Sequence, residues 1–304
     1  MQYIYNTTRI ELPRRSILTL GKFDGFHRGH QKLISYAVNA READEQMVVF
    51  TFSTSPQNFM TGRTGEALAV GTERVRLAER LGVDVLIEYP FTDAVRHMDA
   101  ADFVKNILVG QLALKEIVVG PDCRFGYKGS GGLALLRELS ESCEYRVTVL
   151  DKAMYRGEVI SSSRIRDCLS QGQIEEANAM LGYSYGICGE IVHGRQLGRT
   201  MGLPTINQNP PENQMMPLAG VYFAEVFLDG KHYYGAANVG KKPTIAGERK
   251  TNVETYILDF DRDVYGKQAR VNFLRFIRPE IRFDSIQALQ AQIERDVAAC
   301  RSFV

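Results

Sequence analysis

Short apolar runs alternate with longer amphipathic stretches through the first part of the chain, and this order restricts the possible fold more than any other feature. "SILTLG" reads as a strand, "GHQKLISYAVNAREAD" as a helix, "QMVVFTF" as a strand, and "TERVRLAERLG" as a helix closed by Gly82. "VDVLIEY", "AADFVKNILVGQL", "KEIVVG", "LALLRELSES" and "YRVTVL" continue the pattern. Near-continuous apolar strands need cover on both faces, and helices in βαβα order supply it while keeping the strands parallel. The pattern therefore predicts an N-terminal Rossmann-like α/β domain built on a doubly wound parallel sheet. Ligands in such sheets bind beyond the carboxyl ends of strands, and residues 21–30 lie at one such end.

The character changes after about Leu181. "SYGICGEIVHGRQLG", "GVYFAEVFLDGKHYYGAANVG", "NVETYILDF" and "QARVNFLRFI" are rich in β-branched and aromatic residues and are separated by turn signals such as Asp229-Gly230 and Tyr265-Gly266. Helical periodicity returns in "DSIQALQAQIERDVAAC", with Asp284 as the expected N-cap. A C-terminal small antiparallel β-barrel with a terminal helix follows. The expected domains are 1–183 and 184–304, which a length of 304 residues accommodates. "NQNPPENQMMP" (207–217) reads as a connecting loop.

Composition excludes several classes of function. Lys+Arg 37 against Asp+Glu 36 leaves a net charge of +1, which argues against a broad basic surface for nucleic acid or anionic lipid. The cysteines are five, scattered and without a Cys-x-x-Cys pair, which fits a reducing cytoplasm better than a disulfide framework or a zinc site. The N-terminal "MQYIYNTTRIELPRRS" has no apolar core of a signal peptide, and no run approaches the roughly 20 apolar residues of a membrane span. A cytoplasmic protein with small-molecule partners, no nucleic acid and no membrane is expected. Homo-oligomerisation is compatible with the sequence but is not predicted by it.

"GKFDGFHRGH" (21–30) concentrates the chemistry of the first half. Gly21 and Gly25 permit tight turns at a strand end, and Gly29 permits close approach where a helix begins. Free amides and the positive end of the helix dipole make that point an anion site, with His27 and His30 beside it. A phosphate is the expected guest. Two histidines without a clear third ligand also fit a metal pair or inert surface positions less well. Two glycine patterns are set aside: "GAANVGKK" has Lys242 where a Walker A loop needs Ser or Thr, and "GSGGLA" does not directly follow a strand.

These residues resemble a known family. "GKFDGFHRGH" is similar to the His-x-Gly-His signature of bacterial bifunctional riboflavin kinase/FMN adenylyltransferases (FAD synthetases). "VVGPDCRFGYKGSGG", "ISSSRIR", "GRQLGRTMGLPTIN", "GVYFAEV", "ANVGKKPT" and "VETYILDFDRDVYG" match its further motifs in order, over essentially the whole chain. The resemblance implies two ATP-dependent reactions: phosphorylation of riboflavin to FMN, and adenylylation of FMN to FAD with release of pyrophosphate. It implies Mg²⁺ as cofactor.

Residue by residue, the resemblance implies that His27 and His30 stabilise charge developing during adenylyl transfer. Gly21, Phe23, Asp24, Gly25 and Gly29 would line the nucleotide turn, and Ser162, Ser163, Arg164 and Arg166 would hold the leaving phosphates. Asp122, Arg124, Phe125 and Gly126 are the implied flavin loop, although "PDCRFG" on its own also reads as a turn followed by a core phenylalanine. In the second half Glu254 matches the catalytic glutamate, Thr205 and Asn207 match the Mg²⁺ positions, Gly198 and Pro204 the ATP segment, and Asn238 the flavin side. Departures from the family pattern are Lys22, Ser53, Thr54, Ser55, Cys123, Ser163, Ile206 and Tyr256. The altered "TFSTSP" loop motivates an alternative, a monofunctional riboflavin kinase with a weak or altered adenylyltransferase half. A non-catalytic flavin- or nucleotide-binding regulator is the third reading.

Overall fold

The computed structural model describes residues 1–62, 65–194, 203–243 and 249–304. The chain divides into two compact units, Met1–Ser161 and Ser162–Val304.

In the first unit six strands, β1 (Gln2–Tyr5), β2 (Arg15–Leu20), β3 (Glu45–Phe52), β4 (Val85–Tyr89), β5 (Leu114–Val119) and β6 (Arg146–Val149), form one sheet in the order β1-β4-β3-β2-β5-β6. Every pairing is parallel. Strands β3 and β4 are buried almost end to end, as two-sided helical cover requires. The expected doubly wound sheet is present. The chain moves outward from β2 to β3 and β4, then returns to the other side of β2 with β5. The switch point thus lies between β2 and β5, where Leu18 pairs with Ile117. "GKFDGFHRGH" leaves the carboxyl end of β2 and "GPDCRFG" that of β5, so two of the quoted motifs emerge side by side at the crevice.

Three details differ from the sequence expectation. Strand β1 extends the sheet at its edge beside β4, where the short "QYIY" run gives too little periodicity to be read. "AADFVKNILVGQL" is helical, but Phe103–Val109 is a π-helix, and Gly110 N donates to Lys105 O at 3.0 Å. Gly82 stands one residue past the cap Leu81, in the left-handed conformation that ends the helix Gly71–Arg80. A two-stranded hairpin, β7 (Met154–Tyr155) with β8 (Glu158–Val159), follows β6.

The second unit begins with helices Ser162–Ser170 and Ile174–Leu181. Their apolar faces, including Ile165, Leu169, Ala177 and Leu181, are fully buried. Asn178 ties this pair to the strands: its Nδ2 donates to Phe273 O at 2.8 Å, and its Oδ1 accepts from Tyr185 N at 2.7 Å. Six strands then close an antiparallel barrel in the order β10-β13-β12-β11-β14-β9. They are β9 (Gly186–Val192), β10 (Thr205–Gln208), β11 (Gly220–Leu228), β12 (Lys231–Pro243), β13 (Arg249–Ile257) and β14 (Gln268–Pro279). Asp229 and Gly230 both take positive φ, the two-residue hairpin turn their sequence predicts. Tyr222, Ala237, Val253, Thr255, Val271 and Phe273 are fully buried. Gln208, also fully buried, donates through Nε2 to Gly189 O and Ala269 O. Of the segment 207–217 expected as a loop, Asn207 and Gln208 instead belong to β10, and the remainder is tied down where Gln214 Nε2 donates to Gly186 O at 2.8 Å and Tyr185 donates its hydroxyl hydrogen to Met215 O at 2.5 Å.

The terminal helix Ile286–Arg301 is capped by Ser285, whose hydroxyl accepts from Ala288 N at 3.1 Å, and not by Asp284. Its Val297 and Cys300 pack on Val221, Phe223 and Ala236 of the barrel's outer face. At the edge of that contact the Asp296 carboxylate, 5% exposed, receives Arg278 Nη2 at 2.6 Å and Nε at 2.9 Å. Removing one partner of such an enclosed pair leaves the other charge uncompensated. Asp296→Ala is therefore expected to destabilise the barrel by about 3 kcal/mol in denaturant unfolding followed by circular dichroism. An unchanged midpoint would mean that the apolar face alone holds the helix.

Candidate active sites

The turn after β2 is conformationally costly. Phe23 (φ 44), Gly25 (φ 75) and Phe26 (φ 41) all adopt positive φ within four residues. For the two phenylalanines this is disfavoured backbone, which persists only where the surroundings impose it. Both rings are fully buried and lie 5.8 Å apart, so apolar burial holds the strain. Asp24 adds a tether, accepting from Leu68 N at 2.8 Å. Gly21 sits where a Cβ would come 3.2 Å from the Phe23 ring.

The turn delivers His27 as the N-cap of the helix Arg28–Ala40, with Nδ1 accepting from His30 N at 3.4 Å. A ring that accepts at Nδ1 carries its proton on Nε2, so His27 presents an N–H donor. The His27 and His30 rings stack at 3.7 Å with 15° between planes, and Phe23 lies 4.9 Å from His30. A Cβ on Gly29 would lie 3.0 Å from His27 Cε1. Gly29 is needed here because the imidazole folds back over the first helical turn.

Burial lowers the His27 pKa to about 4. Burial, then the neighbouring His27 and Arg74, hold His30 well below the ordinary histidine range. Both rings are neutral at pH 7. His30 Nδ1 is enclosed and has no hydrogen-bond partner among the described residues, which leaves it able to bond a ligand.

The loop after β5 contributes differently. Phe125 is 7% exposed, packs 5.8 Å from Phe103 and belongs to the sheet core. Its backbone pairs with Gly131 in both directions. Gly126 (φ 72) sits where a Cβ would come 2.6 Å from Ala100 Cβ. Asp122 pairs with Lys152 at 2.8 Å, which lowers its pKa. Burial pushes the Cys123 thiol up to about 11. Arg124 is exposed, and a Cβ on Gly132 would lie 3.0 Å from its Nη1, at the start of the helix Leu133–Ser142. Ser162, Ser163, Arg164 and Arg166 occupy the first turns of the Ser162–Ser170 helix, so "ISSSRIR" straddles the division between the two units.

In the barrel, residues from three distant segments meet. Glu254 on β13 pairs with Asn207 on β10 and with Asn238 on β12, which forms one cross-strand row. Val253, Thr255 and Ile257 are enclosed in the barrel, so the alternate residues Asn252, Glu254 and Tyr256 face outward. Thr205, two residues before Asn207, shares that face, and the exposed Pro204 precedes it. Asn252 Nδ2 donates to Asn207 Oδ1 at 3.3 Å. A Cβ on Gly194 would fall 2.5 Å from Asn207 Nδ2, so the carboxamide lies in a cradle that only glycine leaves open. Hydroxyl, amide and carboxylate oxygens gathered this way fit a hard cation such as Mg²⁺. Gly198 lies outside the described residues.

A second acidic group, Glu42, Asp44 and Glu45, stands at the amino end of β3. Lys115 bonds Glu45 and approaches Glu42 at 3.4 Å, so two of the three carboxylates already share an ammonium, at the end of the sheet away from the crevice.

Comparison with known proteins agrees with the motif order. The FAD synthetase family model matches residues 9–164, and the riboflavin kinase model matches 181–304. The bifunctional riboflavin kinase/FMN adenylyltransferase of Listeria monocytogenes is 34% identical over 94% of this chain and 92% of that protein. This chain belongs to the bifunctional riboflavin kinase/FMN adenylyltransferase family. Further members are those of Pseudomonas fluorescens, 34% identical over 95% of this chain and 93% of that protein, and Escherichia coli K12, 35% over 94% and 92%. The crystal structure of a macrolide-efflux protein from Streptococcus pneumoniae superposes with a TM-score of 0.88, at 31% identity and 99% coverage of both chains. Among the described residues of this family member, no helix is long and apolar enough to cross a membrane.

Sequence reading missed Arg74, which the structure brings to the ends of β2 and β3. The signal was present: Arg74 precedes the buried Leu77 and Ala78 by three and four residues, so a charge stands on an apolar helical stripe.

Two predictions follow from this geometry. Gly194→Ala should displace Asn207 and lower riboflavin phosphorylation at least tenfold while FMN adenylylation persists; equal rates would show that the cradle tolerates a methyl group. His27 should titrate near pH 4 by NMR in the free protein, and a midpoint near 6.5 would mean a solvated ring. Because its folded pKa is depressed, the His27 contribution to stability is complete above about pH 6.5 and is lost as pH falls through about 4.

Proposed function

We propose that the His27/His30 turn is the centre for FMN adenylylation and that Glu254, with Thr205 and Asn207, forms the centre for riboflavin phosphorylation. The chain catalyses ATP-dependent conversion of riboflavin to FMN and of FMN to FAD, with release of pyrophosphate, and it uses Mg²⁺. Nothing in the comparisons favours the monofunctional or regulatory alternative. The functional modules are 1–183 and 184–304, a division supported by the matched ranges 9–164 and 181–304. A cytoplasmic location is supported by the free state of all five cysteines.

The observation that carries the site reading is the Asn207, Glu254 and Asn238 row, in which strand pairing assembles three separate motifs. An alcohol is a weak nucleophile at neutral pH, so a carboxylate that accepts the proton of the riboflavin 5′-hydroxyl assists its attack on the ATP γ-phosphate. Glu254 has that role. Thr205 and Asn207 would hold Mg²⁺, which would supply positive charge to offset that on the phosphate oxygens. Asn238 orients the flavin beside Glu254, while Pro204 and Gly198 shape the ATP segment.

Adenylylation needs no base, because the FMN phosphate is already an anion. Its attack on the ATP α-phosphorus depends on alignment and on donors placed where charge develops. His27, through Nε2–H, and His30 supply these donors. Gly21, Phe23, Asp24, Gly25 and Gly29 shape the turn that carries them. Ser162, Ser163, Arg164 and Arg166 hold the leaving phosphates by charge-assisted hydrogen bonds. Asp122, Arg124 and Gly126 form the flavin loop, and Phe125 acts through the packing of that loop.

The test separates the centres. Glu254→Gln should lower FMN formation about 100-fold and spare FAD formation from supplied FMN. His30→Ala should do the reverse, also by about 100-fold. Chromatography of the flavins over time gives both rates. Loss of both reactions from either change in a folded protein would contradict two independent centres.

A further inference from the structure

Arg74 stands on the helix Gly71–Arg80, outside the segments that match the family's motifs. Its guanidinium is nevertheless committed at both ends. Nη2 donates to Lys22 O at 2.8 Å and to Thr51 Oγ1 at 3.1 Å, while Nε lies 3.0 Å from Glu88 Oε1. Thr51 Oγ1 donates in turn to Lys22 O at 3.2 Å, and Tyr3 OH donates to Glu88 Oε2 at 3.0 Å. The Arg74 and Glu88 side chains are 14% and 10% exposed, and Thr51 is 2% exposed. One side chain thereby joins the segment after β2 to the ends of β3 and β4, and through Glu88 to β1.

The atom at the focus of this network is the Lys22 carbonyl. It immediately precedes Phe23, the first positive-φ residue of the strained turn, whose ring lies 4.9 Å from His30. A turn held in disfavoured backbone needs its entry peptide fixed, and Lys22 O accepts from both the Arg74 guanidinium and the Thr51 hydroxyl. Arg74 also places positive charge near His30 and so adds to burial in opposing protonation of the ring.

We propose that Arg74 is a positioning residue for adenylyl transfer. By clamping Lys22 O against Thr51 and Glu88, it fixes the turn that aims His30. The proposal rests on the reading of the His27/His30 turn as the adenylylation centre. Arg74 need not touch substrate. Lysine keeps the charge but cannot span the carbonyl, hydroxyl and carboxylate with a planar fork. Replacing Arg74 alone by an apolar residue would leave the buried Glu88 carboxylate without its counter-ion, so the apolar variant must neutralise both.

The experiment compares the parent, Arg74→Lys, the double variant Arg74→Met/Glu88→Gln, and His30→Ala, all as full-length chains. Riboflavin phosphorylation serves as the internal measure of folding. For FMN adenylylation, kcat should fall threefold to tenfold in Arg74→Lys and more than tenfold in the double variant. KM for ATP should stay within threefold and phosphorylation within twofold of the parent. A general structural defect would raise KM or lower both reactions. Parent-like kcat in Arg74→Lys, or a loss expressed as raised KM, overturns the inference. If the double variant fails to fold, Arg74→Lys decides by the same criteria. Retained adenylylation in His30→Ala would instead overturn the underlying reading of the turn.

Discussion

Burial of the Phe23 and Phe26 rings is the interaction on which the first site depends. Positive φ at two phenylalanines opposes the turn, and the transfer of both rings out of water offsets that cost. Once the turn is formed, His27 has little freedom: it must cap the helix, its Nδ1 accepts from His30 N, and its ring stacks on His30 over Gly29. Local strain, apolar burial and donor placement are therefore one arrangement. The low histidine pKa values follow from the same enclosure, which keeps both rings neutral at pH 7.

The two units gather their candidate site residues by different means. The parallel sheet gathers loops at a switch point, where adjacent strands send their carboxyl ends to one crevice. The barrel gathers side chains by register, since antiparallel pairing aligns Asn207, Glu254 and Asn238 across three strands. A register slip of one residue would turn Glu254 into the barrel, where Val253 and Thr255 now lie. The apolar patch beside the row is covered by the terminal helix, and Arg278 with Asp296 secures the edge of that cover.

Much of this was legible in the sequence. The alternation of strands and helices identified the doubly wound sheet, and the run of turn-separated strands identified the barrel. The motifs named the residues of both candidate sites. What escaped had weak or misleading local signals: a four-residue edge strand, a π-helix whose apolar spacing imitates an α-helix, and a cap that passed from Asp284 to its neighbour Ser285. The "ISSSRIR" segment was read as phosphate-binding, but its sequence did not reveal that its helix packs within the second compact unit.

By itself, the sequence determined the class of each half and the chemistry available, because periodicity and residue type are local properties. It fixed which groups could donate, accept or carry charge. Only the tertiary structure decided which of them meet. Strand register placed Asn238 beside Glu254, helix packing carried Arg74 to the Lys22 carbonyl, and enclosure moved the histidines away from their ordinary pKa. These outcomes depend on contacts between residues distant along the chain, and such contacts exist only once the core has closed.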